Sequence, residues 1–338
     1  MTLTQTAILT KQIITFSILA IILGTAGFTG YKIWYQYYLD HLPLKEEIPD
    51  TKFGLLPPPD LPKAAVSSSN FSYSIDTTTG GLPIVGVDKG FEKLIKVYFV
   101  IKTYASFLSP EKSQNLAEKF DVNVNPQILS ETNYLFKEND KTLNIDLDSG
   151  NFTYQNSATP SAGLNLDDEE KLVTDFKELL KNLGVAKSDL TWGKDKVIFL
   201  KNADSNLAQI SLWPASLDDK PIVTPEFNES LVNATVYKNA SDIQNYLSLN
   251  FTYYYIDTSI FATYPLKTSA AAFEDLKSGK GVVVVEPQKP AVSITSVYLA
   301  YFLSEIYSPY LLPVFVFEGP NFAAYVPAIT DDFQSPAN

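Results

Sequence analysis

The chain has 338 residues, 45% of them hydrophobic and 19% charged, which is enough to bury a substantial core and excludes disorder throughout. A formal charge of -12 and a pI near 4.6 disfavour a nucleic-acid partner, since phosphate binding needs a basic surface. All 26 basic residues are lysine, cysteine is absent and the single histidine is His41, so disulfides, thiolate nucleophiles, guanidinium clamps and histidine-based triads or zinc sites in the soluble part of the chain are excluded.

Residues 1–11 read as a short cytoplasmic tail. Gln12 to Tyr31 is then twenty residues without a charge, bracketed by Lys11 and Lys32. A bilayer core needs ~20 apolar residues of helix, so residues 12–36 are expected to form a transmembrane signal anchor in contact with lipid. Tyr31, Trp34, Tyr35, Tyr37 and Tyr38 follow, as expected at headgroup level. A cleaved signal peptide, cut after Ala26, and a buried core helix are the competing readings, though uncharged core helices of this length are uncommon. Continuation of the apolar pattern through Phe28, Tyr31, Ile33 and Trp34 favours a retained anchor.

Lysines flank the run almost evenly, Lys11 against Lys32 and Lys45, so they do not set orientation. Architecture does: a short tail, one apolar segment and a large acidic domain place that domain outside the cytoplasm, on a plasma (inner) membrane. Ala20/Gly24 and Ala26/Gly30 have the small-xxx-small spacing of helix-pairing faces, which suits a homodimer, although membrane helices also simply tolerate such residues.

Residues 37–70 are expected to be a linker. Pro43, Pro49, Pro57, Pro58, Pro59 and Pro62 favour extended polyproline II, and Ser67-Ser68-Ser69-Asn70 ends the segment. Beyond it the sequence is β-rich with three helices. Phe91 to Tyr104 is dense in β-branched and aromatic residues and reads as a strand. Ser109-Pro110 opens a helix to about Phe120, with Ser109 as its N-cap. Strands follow near 133–137, 142–147 and 152–155, separated by Glu138-Asn139-Asp140 and Asp148-Ser149-Gly150 turns.

The clearest helix is capped by Asp167, carries Leu172, Phe176, Leu179, Leu180 and Leu183 at helical spacing, and ends at Gly184. Strands are expected at 191–200, 207–213, 251–256 and 261–264, with shorter ones before Tyr237. A third helix starts at Thr268 or Ser269 and stops at Gly279. Four strands follow at 281–286, 291–303, 311–318 and 322–329, the last two joined by Gly319-Pro320-Asn321. In Leu311 to Phe317 both alternating faces are apolar, as in a strand covered on both sides.

Helix followed by meander, repeated about three times, predicts an α+β fold with antiparallel sheets covered by helices. The polar break Thr159-Pro160-Ser161-Ala162-Gly163 divides it into a first module, 71–158, and a larger region, 164–330, before a tail at 331–338.

Ser109 to Gln155, with YLFKENDKTLNIDLDSGNFTYQ, the helix-glycine unit Thr268 to Val285, and YLLPVFVFEG at 310–319 resemble PepSY-like modules. They are similar in particular to the YycH/YycI type, bacterial membrane-anchored proteins that regulate a sensor histidine kinase from outside the membrane. The resemblance implies an export-side α+β fold and a regulatory or binding role. It carries no functional residue onto this chain.

Local chemistry offers few candidates. Ser109-Pro-Glu-Lys112 has the S-x-x-K spacing of serine acyl-transfer enzymes, but no S-D-N exists and Lys267-Thr268-Ser269 lacks the glycine of K-T-G. Asn144, Asp146, Asp148 and Gly150 resemble the start of a calcium loop whose glycine falls one place late and whose twelfth position is Gln155; a β-hairpin turn explains the same letters. Asp167 to Glu170 is an acidic first helical turn, and Asp218-Asp219 and Asp331-Asp332 fit a turn and a tail. Tyr253-Tyr254-Tyr255 and Trp213 suit a sugar- or peptide-binding face, or core packing.

No catalytic, cofactor or metal residue is therefore assigned. The expectation is a non-enzymatic, membrane-anchored binding or regulatory protein of the bacterial cell envelope, with a membrane or envelope protein as partner. A serine- or carboxylate-type envelope hydrolase and a purely structural stalked surface protein are the alternatives.

Overall fold

A computed structural model describes residues 16, 20, 23–25, 27–35, 37, 48–83, 93–158, 166–201 and 206–336. Two units, Met1–Ile48 and Pro49–Asn338, are each internally connected. Every described residue of the first from 16 to 37 is helical and exposed. Among the described residues no helix is long and apolar enough to cross a membrane. Lys11, residues 12–15, Ala26, Tyr38, His41 and Lys45, on which parts of the anchor, orientation and pairing readings rest, lie outside the described residues.

The second unit is a mixed α+β body with antiparallel sheets and few helices. It begins with β1 (Ser72–Ile75), β2 (Leu94–Ile101) and α1 (Ser109–Lys119). Next come β3 (Gln127–Ile128), β4 (Asn133–Glu138), β5 (Lys141–Asp146) and β6 (Phe152–Asn156). Helices α2 (Glu169–Leu183) and α3 (Ser188–Trp192) precede β7 (Asp195–Lys201), β8 (Asn206–Leu212), β9 (Ile222–Val223), β10 (Val232–Val236) and β11 (Tyr246–Phe251). The chain closes with β12 (Tyr255–Pro265), α4 (Ser269–Lys277), β13 (Val282–Val285), β14 (Ala291–Ile294), β15 (Ser296–Phe302), β16 (Tyr310–Gly319) and β17 (Phe322–Pro327).

An eight-stranded antiparallel sheet runs β3-β4-β5-β6-β11-β10-β8-β7. Its core is shared with Ala117 and Phe120 around the end of α1, with Leu190 of α3, and with Leu172, Phe176, Leu179, Leu180 and Leu183 of α2. A seven-stranded sheet runs β12-β2-β16-β15-β9, with β17 on β16 and β13 on β17; β1 and β14 form a separate parallel pair.

The chain leaves the seven-stranded sheet at Ile101 and re-enters it at Tyr255, and these two residues face each other across the β2–β12 pair. The eight-stranded half is thus an insertion between neighbouring strands, interrupted once where β9 returns to pair with β15. The expected break at 159–163 lies outside the described residues, and strands on either side of it share both sheets. β6 pairs with β11, and β2 pairs with β12 and β16. Long-range pairing, which no local composition signals, decides which strands on the two sides of 159–163 share a sheet.

Residues 49–70 are stitched to the domain: Leu56 is fully buried, its N–H donates to Phe333 O at 2.9 Å and its carbonyl accepts from Ser335 N–H at 2.8 Å. Ser68 Oγ donates to Leu276 O at 2.7 Å. Apart from local turns such as Gly54 N–H to Thr51 O at 2.9 Å and Asn70 N–H to Ser67 O at 3.0 Å, this proline-rich stretch has few internal hydrogen bonds, so its remaining polar groups and apolar side chains find partners on the domain. The same contacts hold part of the expected tail, where Asp331–Phe333 forms a 3-10 turn and Phe333 packs edge-on to Tyr264.

Local signals place several ends within a residue. Asp168, not Asp167, caps α2, its Oδ1 accepting from Lys171 N–H at 2.9 Å, and Gly184 ends it at φ 81°. Thr268 Oγ1 caps α4 at 3.1 Å from Ala271 N. Leu108, not Ser109, occupies the N-cap of α1. The strand expected at 191–200 starts only at Asp195, because Ser188–Trp192 forms α3. β16 is buried from Leu311 to Phe317. Phe315 and Phe317 join the large core, while Val314 and Val316 join a smaller one against which Leu61 of the proline-rich segment packs.

Candidate functional site

One face of α1 along its length, the turn between β5 and β6, and the end of α2 converge on a groove of about 370 Å³. It brings together Ser109 and Lys112 of the S-x-x-K stretch with Asp146 and Gly150 of the calcium-like stretch. Leu116, Ile145, Leu147, Leu183 and Val185 supply apolar lining.

The polar groups are mostly committed to local structure. Ser109 Oγ accepts from Ser106 N–H at 2.9 Å, and no hydrogen bond joins it to Lys112 among the described residues. Asp146 turns onto its own hairpin, Oδ1 accepting from Asp148 N–H at 3.3 Å and Oδ2 from Ser149 N–H at 3.2 Å and from the Ser149 hydroxyl. Asp148 Oδ1 accepts from Ala105 N–H at 2.7 Å, and Gly150 takes φ 74°. These letters make a hairpin turn whose carboxylates satisfy backbone donors.

Lys119 Nζ donates to Asn182 O and Leu183 O at 3.0 and 3.1 Å, capping α2 where carbonyls lack intrahelical partners. Lys112 and Asn115, both exposed, remain as rim groups. An apolar floor with an ammonium and an amide at its rim can hold an apolar group bearing a negative or carbonyl oxygen.

Other sequence candidates lie apart. Trp213 is buried and its Nε1–H donates to Thr224 Oγ1 at 3.3 Å, so it belongs to the core. Tyr253 and Tyr254 lie between the two large sheets in sequence, joining β11 to β12. Tyr253 donates to Asp189 Oδ2 at 3.0 Å, and burial together with that carboxylate pushes its hydroxyl well above the usual tyrosine range. Tyr254 donates to Glu305 O at 2.8 Å, and Tyr255 is exposed. These tyrosines pin the junction.

Sequence reasoning missed Lys119 and residues 183–185 as groove components, since nothing local signals that α1 and the end of α2 meet. It also missed an ion network: Lys267 Nζ lies 2.9 Å from Asp275 and 2.6 Å from Asp331, and Lys280 Nζ lies 3.1 Å from Asp275. Among the described residues no group of three or more His, Cys, Asp or Glu is placed to hold a metal ion.

Comparison with protein-family models, with curated proteins and with solved structures gives no match to this chain.

Proposed function

We propose that this protein is a membrane-anchored binding or regulatory protein of the bacterial cell envelope, with its α+β domain on the extracytoplasmic side of the plasma membrane. The carrying observation is that the described part of the amino-terminal helix keeps Phe16, Leu23, Phe28, Tyr31, Ile33 and Trp34 between 58% and 69% exposed. The uncharged run 12–31 has the length of a bilayer core, an environment that suits such side chains.

The groove supports contact over covalent chemistry, because its serine and carboxylate are engaged in local structure. The PepSY-like pattern agrees with an export-side binding role, and the partner is a membrane or envelope protein. Protease added to spheroplasts is expected to digest the domain and leave an amino-terminal membrane fragment. Complete protection of the domain overturns the orientation, and a soluble form beginning near Gly27 overturns the retained anchor.

A further inference from the structure

The edges of the two large sheets are not alike. β3 and β9 are two residues long. β12 has eleven residues, but its register breaks between Asp257 and Phe261. Its far end is covered, where Thr51 N–H donates to Thr263 O at 3.2 Å and Thr330 N–H to Pro265 O at 3.2 Å. Such bulges and covers are how natural sheets prevent edge-to-edge pairing.

β7 has neither device. Its seven residues pair with β8 in unbroken register from Asp195↔Leu212 to Lys201↔Asn206, and among the described residues no backbone group bonds to its outer side. Phe199 and Leu200 are 46% and 39% exposed there. A long, regular edge carrying exposed apolar residues is a template for another strand.

We propose that β7 pairs antiparallel with β7 of a second copy of this chain, joining two eight-stranded sheets edge to edge. The sequence of the strand, Asp-Lys-Val-Ile-Phe-Leu-Lys, selects both partner and register. Centred on Ile198, the two-fold arrangement sets Asp195 of each copy opposite position 201, a lysine in the sequence, and sets Val197 opposite Phe199. Opposite charges and β-branched–aromatic pairs directly across an antiparallel ladder are both favourable, and a one-residue shift of the centre removes the charge match. Asp195 already accepts from Lys177 of α2 at 3.2 Å, so its carboxylate is held on that side of the sheet. This inference is independent of how the amino-terminal helix is used.

The absence of cysteine makes the test clean, since one introduced thiol reports alone. Directly opposite residues have Cα atoms ~4.5–5.5 Å apart, within disulfide range. Residues 196 of the two copies stand four positions apart along the strands, ~14 Å at ~3.4 Å per residue, which is beyond it. Full-length Ile198→Cys and Lys196→Cys, purified and oxidised mildly, are expected to differ about tenfold in cross-linked dimer, with Ile198→Cys the higher. Adding Asp195→Lys to Ile198→Cys is expected to lower the yield severalfold, and adding Lys201→Asp as well to restore it. Equal yields at 196 and 198, no dimer at either in protein with wild-type circular dichroism, or failure of the charge swap to restore the yield would overturn the proposal. Association through the amino-terminal helix alone shows itself as equal yields at the two positions.

Discussion

Phe315 shows what a single side chain contributes here. It is fully buried beside Phe317 in β16, in the larger core. Replacement by alanine is expected to cost ~3–5 kcal/mol, read as a shift of the urea midpoint; an unchanged midpoint would show the strand to be peripheral. Asp275 contributes to the pH dependence. Burial pushes its carboxyl up, but hydrogen bonds from Lys267 and Lys280 outweigh this and hold it below its ordinary value near 3.8. A carboxylate depressed in the folded state contributes stability above its unfolded pKa and loses it as pH falls through the folded value. Stability is therefore expected to decline below about pH 4, and Asp275→Asn to be less stable at neutral pH with a shallower acid decline. Equal slopes for the two proteins in a pH series of urea midpoints would remove Asp275 as the cause. At this scale the sequence was partly legible. Asp168 and Gly184 act on neighbours within a turn and leave a local signature, whereas Lys267 meets Asp331 from sixty-four positions away and leaves none.

Elements were more legible than their partners. The helices and most strands follow from periodicity, because each must bury one face. The failures have physical causes: Thr191 and Trp192 belong to the helical turn Ser188–Trp192 where β-propensity suggested strand, and β11 and β12 are split by the tyrosine junction. The groove was legible only in pieces, Ser109 to Lys112 and Asn144 to Gly150, because its third wall comes from α2. The proline-rich segment was legible only in composition, which suits a solvated spacer; the domain surface reveals why Leu56 and Leu61 are apolar. A fragment beginning at Phe71 loses Leu56, Leu61 and Ser68, and is expected to be at least ~2 kcal/mol less stable than one beginning at Pro49. Equal melting temperatures for the two fragments would return 49–70 to the role of a free stalk.

For the whole molecule, the α+β class was legible but the insertion was not. β2 and β12 neighbour each other although 153 positions separate Ile101 from its successor strand at Tyr255 and their sequences say nothing of pairing. Packing of 49–70 also changes the functional account, since the segment available as a spacer now ends before Pro49. Under the proposed function, a domain held close to the membrane would meet membrane partners at high effective concentration, so weak contacts would suffice.

Complementation of a deletion strain tests that account most directly. Residues 49–338 fused to an unrelated membrane helix are expected to restore function at least in part, while the same residues exported without any helix are expected to fold and fail. Full rescue by the untethered domain would contradict the tethered-binding account and favour an enzyme acting on a soluble or wall-borne substrate.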